Sequence, residues 1–578
     1  MFEKTFKDLK DLISVSTSDK APDCVIQGGS VFDVFTGEIV PADIWMSGKW
    51  IAYVGPSKSK PGDNTKIIDA RGLIAVPGYI DAHGHSDLFY NPATFSDIAI
   101  TTGTTTVFSD GHDCINPLGA EGFKEILKYS GHFNIKYIWG LPATYPPYPE
   151  VEGGDILSMY DIWDLFAKYP ECVSLSEVSP YLRIVKNEDN ILQRMLLARS
   201  MGRNIEGHTL GASYDRLNAI AASGVTSCHE SIRPHDIKSR IRLGFYTMVR
   251  SSSIRNDLKD LCPTITALPK DTVILVSDGL FAADLVSKGY MDHIIGEAIS
   301  FGLSPSDAIR MATLNPARYF RMDHAVGSIT PGRIADVLLL ENIEKPSPVK
   351  VFERGTLAAE NGILKRNPAF FPLVGTEHYP YAFGSVTAED FAIGSQAPAP
   401  IPVIDIIDRT VTRRLDMDLP RGWNQVLADP QADVRKIVYS RREAKKWGKG
   451  FVRGFGTRAG AVASTVAHET HGLVVHGFDD NDMALAANTV LAMKGGFAVA
   501  HEGRVLGALP LPIGAVMSKM PVGELGEAYQ RINEILQSMG SNLDDPIWTT
   551  CFLTFTSIVE LRITVSGVYD VRRGVVVF

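Results

Sequence analysis

The stretch Ile74-Ala75-Val76-Pro77-Gly78-Tyr79-Ile80-Asp81-Ala82-His83-Gly84-His85 decides the reading of this chain. Its apolar run reads as one buried strand, residues 74–80, entering a polar loop. Side chains alternate along extended backbone, so His83 and His85 face the same way and both imidazoles can reach one metal ion. Imidazole suits zinc, iron, manganese and similar divalent ions. Taken alone, the pair can equally be a polar loop with two incidental histidines.

Outward from there, residues 73–320 alternate buried-looking strands with helical stretches, which favours an α/β fold. After 74–80 the candidate strands are residues 104–108, 137–139, 173–175, 204–206, 225–227, 245–249 and 272–276. Eight parallel strands close into a TIM-like (β/α)₈ barrel, whose chemistry sits on loops at the strand C-terminal ends. Glu177, His208, His229 with Glu230 beside it, and Asp278 all stand at such ends. Singly each is bland; together, behind a His-x-His, they read as metal ligands. A carboxylate between two histidine pairs can bridge two ions, and Asp278 can bind metal and accept a proton from the attacking water. A bound divalent ion lowers the pKa of its water towards neutrality and so supplies a nucleophile at pH 7.

The flanks read differently. Residues 1–20 look like a helical or loose leader, followed by short β-rich runs with a hairpin turn at Ser47-Gly48-Lys49. A β-rich run returns at 326–329, 335–340 and 349–355, as if rejoining the first to make one small domain split in sequence. The Pro-rich stretch 397–402 reads as a linker, and strand 497–500 with helix 524–539 belongs to a third region. The expected division is 1–72 and 323–396 for the split β-domain, 73–322 for the catalytic barrel, and 397–578 for a C-terminal α+β domain.

Composition narrows the function. With 57 Lys and Arg against 66 Asp and Glu, the net charge of −9 offers nothing to a polyanion, so no nucleic-acid partner is expected. The basic run Arg441, Arg442, Lys445, Lys446, Lys449 reads as a solvated helix face. Six scattered cysteines show no C-x-x-C spacing, which suits reduced thiols inside the cell. No signal-like segment and no uninterrupted apolar span of membrane length occurs, so a cytoplasmic protein without a membrane partner is expected.

The order of these motifs resembles the amidohydrolase superfamily, and within it the bacterial adenine deaminases. The resemblance rests on Pro77 to His85, Gly103-Thr104-Thr105-Thr106-Val107, Asp110-Gly111-His112-Asp113 and Ser176-Glu177-Val178. It continues through Gly207-His208, His229-Glu230-Ser231, Ser277-Asp278, Met311-Ala312-Thr313-Leu314-Asn315-Pro316-Ala317 and Gly332-Arg333-Ile334-Ala335-Asp336. Gly454-Phe455-Gly456, Ala467-His468-Glu469-Thr470-His471, Asp482-Met483-Ala484-Leu485-Ala486 and Leu509-Pro510-Leu511-Pro512-Ile513 resemble the C-terminal region of those deaminases. The resemblance covers residues 22–575. It implies two divalent transition-metal ions, manganese or iron before zinc, held by His83, His85, Glu177, His208, His229 and Asp278. It further implies a purine-metabolism hydrolase, a homo-oligomer acting on a small-molecule substrate.

On that reading the chain deaminates adenine or a related amino-heterocycle and releases ammonia. The alternative is hydrolysis of a cyclic or linear amide at the same binuclear site. Asp278 relays the proton to the departing group, His229 lies nearest the tetrahedral centre, and His112 or Glu230 assists proton transfer. Ser86-Asp87-Leu88-Phe89 and Asp278-Gly279 depart from the family's usual residues, which places Asp87, Phe89 and Gly279 at the substrate, with Tyr90 beside them. Either adenine is a poor substrate or Asp87 alone holds it. His468 and His471, three apart, lack the spacing of a metalloprotease helix and are expected at the site's mouth or in a subunit contact.

Overall fold

Gly78 divides the run that reads as a single strand. In the computed structural model, which describes residues 2–58, 62–154, 156–371, 381, 384–443 and 445–578, Ile74–Pro77 and Tyr79–Gly84 belong to different sheets. A Cβ at position 78 would stand 2.3 Å from Thr105 Oγ1, so only glycine lets the chain pass this close to the next strand while changing sheets. Both halves are apolar, which is why periodicity alone does not reveal the break.

Tyr79–Gly84 is β1 of an eight-stranded barrel. The others are β2 (Thr104–Ser109), β3 (Lys136–Leu141), β4 (Cys172–Val178), β5 (Asn204–Gly207), β6 (Ser227–Cys228), β7 (Tyr246–Arg250) and β8 (Val273–Val276). Every neighbouring pair is parallel, and the bridge from Gly84 to Asp278 brings β8 back to β1. Parallel strands covered on both faces read as continuous apolar runs rather than alternating ones; Val273–Val276 is buried throughout.

Two further sheets form the split β-domain. Val337–Leu340, after the barrel, pairs antiparallel with Ile74–Pro77, before it, in the register Leu338↔Val76. The seven-stranded sheet that contains this pair faces a four-stranded one across a core that includes Ile26, Ile44, Val337 and Phe352. Lys136, at the start of β3, ties the barrel to this domain through Asp336 (2.8 Å) and Glu353 (2.9 Å). Residues 326–329, expected as a strand, run as irregular chain. Within the expected return segment, residues 372–380 and 382–383 lie outside the described residues.

The C-terminal region is an eight-stranded sheet with helices Asp480–Ala492, Val522–Ser538 and Pro546–Phe552 and a three-stranded sheet. Two expectations are corrected here. Ile401 and Pro402, read as linker, open the strand Ile401–Ile406. The basic run at 441–449 is not a solvated helix face: it follows strand Val434–Ser440 and leads into Gly448–Arg453. Arg441 and Arg442 are buried, donating to the carbonyls of Gly153 (2.9 Å) and Asn116 (3.1 Å), and so pin this sheet to the barrel loops. A guanidinium can satisfy buried carbonyls that charge counting assigns to water. All six cysteines are free and buried.

Candidate active site

The ends of β1, β4, β5, β6 and β8 deliver six side chains to one place. His83 closes β1 and His85 follows it, with ring centroids 5.4 Å apart. His83 stacks on His229, just past β6, at 3.9 Å. Glu177 on β4 places Oε2 3.1 Å from His208 Nδ1 and 3.1 Å from His229 Nε2. Asp278 Oδ1 lies 3.3 Å from His85 Nε2 and 3.8 Å from His83 Nε2. Among the described residues, three groupings drawn from these six side chains have ligand atoms all within 4.8 Å of one another (His83, His229 and Asp278; His83, His85 and Glu177; Glu177, His208 and His229), and two more bring in His112, with His85 and Asp113 and with Asp110 and Glu177. His83, Glu177 and His229 each belong to two of the first three groupings, the pattern of adjoining sites sharing a ligand. All six residues are buried.

The backbone of Asp278 fixes it to β1. Its N–H donates to His83 O (3.0 Å) and its carbonyl accepts from His85 N–H (3.2 Å). Its φ of 57° is left-handed, a region aspartate enters more readily than most residues, and such strain gathers at functional sites.

The electrostatics favour a cation. Burial would raise Glu177, but the imidazoles of His208 and His229 outweigh it and hold the carboxyl well below the usual range. Burial would likewise raise Asp278, and the His85 hydrogen bond with the Arg250 charge overcomes it. Burial lowers His83 well below an ordinary histidine, so its ring is the neutral form that ligates metal. Burial opposes protonation of His208, yet Glu230 and Glu177 push it up to about 10; a divalent ion meeting the same negative charge would displace that proton. Among the described residues both ring nitrogens of His83, Nδ1 of His85 and Nε2 of His208 are buried without a hydrogen-bond partner. Buried polar atoms are normally satisfied, and divalent ions would satisfy these, so the donor set fits them.

A cleft opens on the cluster. Glu177, His208, His229, Asp278, Phe89, Tyr90 and Gly279 line it. Asp87 does not, which corrects its expected place at the substrate. Its carboxylate accepts from Ser109 Oγ (3.1 Å) and from Cys114 N–H (2.9 Å) in the first turn of helix His112–Ser130. Unpaired N–H groups at a helix start attract a carboxylate strongly. His112 and Glu230, expected to assist proton transfer, both have charged partners. His112 sits off the cleft between Asp110 (3.1 Å) and Asp113 (3.2 Å). Glu230 lines the cleft, but Arg250 takes both its oxygens, at 2.5 and 3.1 Å. Despite burial, that guanidinium holds Glu230 down at about 2.

Sequence reading missed Arg250, Asp113 and one wall of the cleft. Arg250 ends β7 and also donates to Asp278 Oδ2 (2.9 Å) and Asp257 Oδ2 (3.0 Å); the strand-end rule that picked out the six clustered side chains would have found it. Asp113 receives His471 Nε2 at 2.9 Å and lies 3.4 Å from His85 Nδ1. Thr410, His468, Trp548, Phe552, Phe555 and Ile558 come from the C-terminal region. His468 is therefore at the mouth of the site, and His471 one layer behind it.

Residues 74–358 match the model of the amidohydrolase family, and residues 409–574 that of the adenine deaminase C-terminal domain. The chain is similar to an adenine deaminase of Moorella thermoacetica, 34% identical over 97% of this chain and 96% of that protein. It is similar as well to adenine deaminase 2 of Carboxydothermus hydrogenoformans, 31% identical over 99% of each. Among solved structures, a dihydropyrimidinase from Brevibacillus agri aligns with a TM-score of 0.46 at 14% identity, over 60% of this chain and 99% of that one.

Proposed function

This chain belongs to the adenine deaminase family of amidohydrolases, and from that premise we propose that it hydrolyses adenine, or a closely related amino-heterocycle, to the oxo compound and ammonia. Water adds to the amine-bearing carbon, the carbon–nitrogen bond breaks, and the amino group takes one water proton to leave as ammonia while the other stays on a ring nitrogen of the oxo product. The observation that carries the proposal is the placement of the C-terminal wall directly over the imidazole–carboxylate cluster, so that one cleft joins the two matched regions.

His83, His85, Glu177, His208, His229 and Asp278 would hold two divalent ions, manganese or iron before zinc. Such ions supply a Lewis acid and activate water at neutral pH. Asp278 does the proton work: Arg250 holds Oδ2, leaving Oδ1 towards His83 and His85 to accept the proton of the attacking water. The same oxygen hands that proton to the departing nitrogen. His229, lining the cleft and stacked on His83, is the ligand nearest the reacting carbon. Phe89, Leu88 and Leu210 give the flat ring an apolar seat that excludes water.

A small-molecule substrate needs no membrane contact, and no helix among the described residues is long and apolar enough to cross one. We carry forward a cytoplasmic homo-oligomer as part of the same proposal. The test is conversion of adenine by protein loaded with manganese or iron, read as equal amounts of ammonia and hypoxanthine. Failure to convert adenine with the metal site filled, alongside cleavage of a cyclic amide, would overturn the proposal in favour of amide hydrolysis.

A further inference from the structure

With Asp87 committed to a helix start, recognition of the heterocycle falls to other groups. Outside the ligand cluster and the carboxylates around Arg250, side-chain polar atoms reach the cleft from Tyr90, Arg255, Thr410, His468 and Trp548. Tyr90 donates its hydroxyl to Leu280 O (2.9 Å), and Arg255 is paired to Asp257 at 2.6 Å. Among the described residues the indole N–H of Trp548 is also buried without a partner, but it can only donate, whereas the imidazole of His468 can donate or accept. Its ring stacks on Phe552 at 4.6 Å and meets Phe555 edge-on at 4.7 Å. Its ring meets that of His85 edge-on with centroids 6.0 Å apart, which sets it directly beside the ligand cluster. Nδ1 is buried without a hydrogen bond among the described residues, 3.9 Å from Asp113 Oδ1, which leaves Nε2 as the nitrogen that opens on the cleft.

The loop that presents this ring is held from several sides. His468 N–H donates to Cys551 O (2.9 Å), Asn116 Nδ2 donates to Glu469 O (2.9 Å), and His471 Nε2 meets Asp113 Oδ1 (2.9 Å). Glu469 and His471 both have left-handed backbone, with φ of 62° and 32°. Non-glycine residues keep such conformations only where the surroundings over-determine them.

We infer that His468 is a substrate-binding residue: supplied by the C-terminal domain, its imidazole hydrogen-bonds a ring nitrogen of the heterocycle and fixes the base over the metal ligands. This rests on the deaminase reading. Imidazole can donate or accept, which suits a purine edge carrying both N–H and lone-pair nitrogen. The C-terminal domain is then part of the binding site as well as its cover.

The test compares wild type with His468→Phe, which keeps the stacking, and His468→Gln, which keeps a hydrogen-bonding head. Adenine KM and kcat, and the calorimetric Kd of hypoxanthine, are measured on metal-loaded protein, with metal content and Tm as controls. Losing one hydrogen bond to a neutral ligand predicts that Phe raises KM and Kd about tenfold while kcat changes less, and that Gln recovers part of the loss. In wild type, adenine should be preferred over at least one of its 3-deaza and 7-deaza analogues, and the Phe variant should lose that preference. KM and Kd within twofold of wild type in His468→Phe, with the analogue preference intact, would overturn the inference. Should that variant not fold, His468→Ala carries the same expectation. Wild type that fails to turn over adenine at all would instead sink the deaminase reading, so the two failures are distinguishable.

Discussion

Asp278 and Arg250 divide one carboxylate between two tasks. The guanidinium fork occupies Oδ2 and leaves Oδ1 to the histidines. Asp278→Asn keeps the shape and removes the base, so kcat should fall by about 10²–10⁴ with Tm little changed; a variant keeping more than about a tenth of wild-type kcat would contradict the assignment. Arg250→Met would strip Glu230 and Asp278 of their guanidinium partner and leave Asp257 with Arg255 alone. Breaking a buried ion pair costs about 3–5 kcal/mol, to be read by urea unfolding. A loss below about 1 kcal/mol would show that the fork is not what holds the cluster. At this scale the convergence of the six side chains was legible because strand ends project into the barrel mouth. Asp87 was misplaced because sequence cannot tell an acid facing a cleft from one capping a helix two loops away.

Elements from different parts of the chain meet at Glu152. It ends the short helix Pro149–Glu152 and accepts from Thr556 Oγ1 (2.7 Å), in the C-terminal region, and from Tyr148 N–H (2.7 Å). Burial pushes its carboxyl from 4.5 up to about 8. A group whose folded pKa is raised contributes stability fully below its unfolded pKa and loses it as pH rises through the folded value. Wild-type Tm should therefore fall as pH rises from about 5 to about 9, and Glu152→Gln, which keeps both partners while remaining neutral, should fall less. Parallel Tm–pH curves would contradict this. Barrel strands such as Val273–Val276 were legible as short apolar runs between polar loops, whereas Ser227–Cys228 carries no such run and meets the expected 225–227 only at Ser227. Residues 326–329 were not, since a few apolar residues pack as well in irregular chain as in a strand. The basic run at 441–449 misled because long cations bury readily where they meet carbonyls.

Across the whole molecule, the barrel supplies the imidazole–carboxylate cluster, and helix Pro546–Phe552 with neighbouring loops of the C-terminal region supplies much of the wall. The ring of Phe89 packs 5.8 Å from Phe497, 5.4 Å from Tyr529 and 5.6 Å from Trp548, so the two regions share one apolar cluster at the cleft. The C-terminal motifs revealed the region's presence, but its position over the metal ligands depends on long-range packing that no local pattern records. The most direct test of the account is a titration of chelated protein with manganese, following ions bound per chain and ammonia released from adenine together. The account predicts no ammonia from the metal-free protein and a rise to a plateau at about two ions per chain. Full adenine turnover by protein stripped of metal, or none with both ions bound, would contradict it.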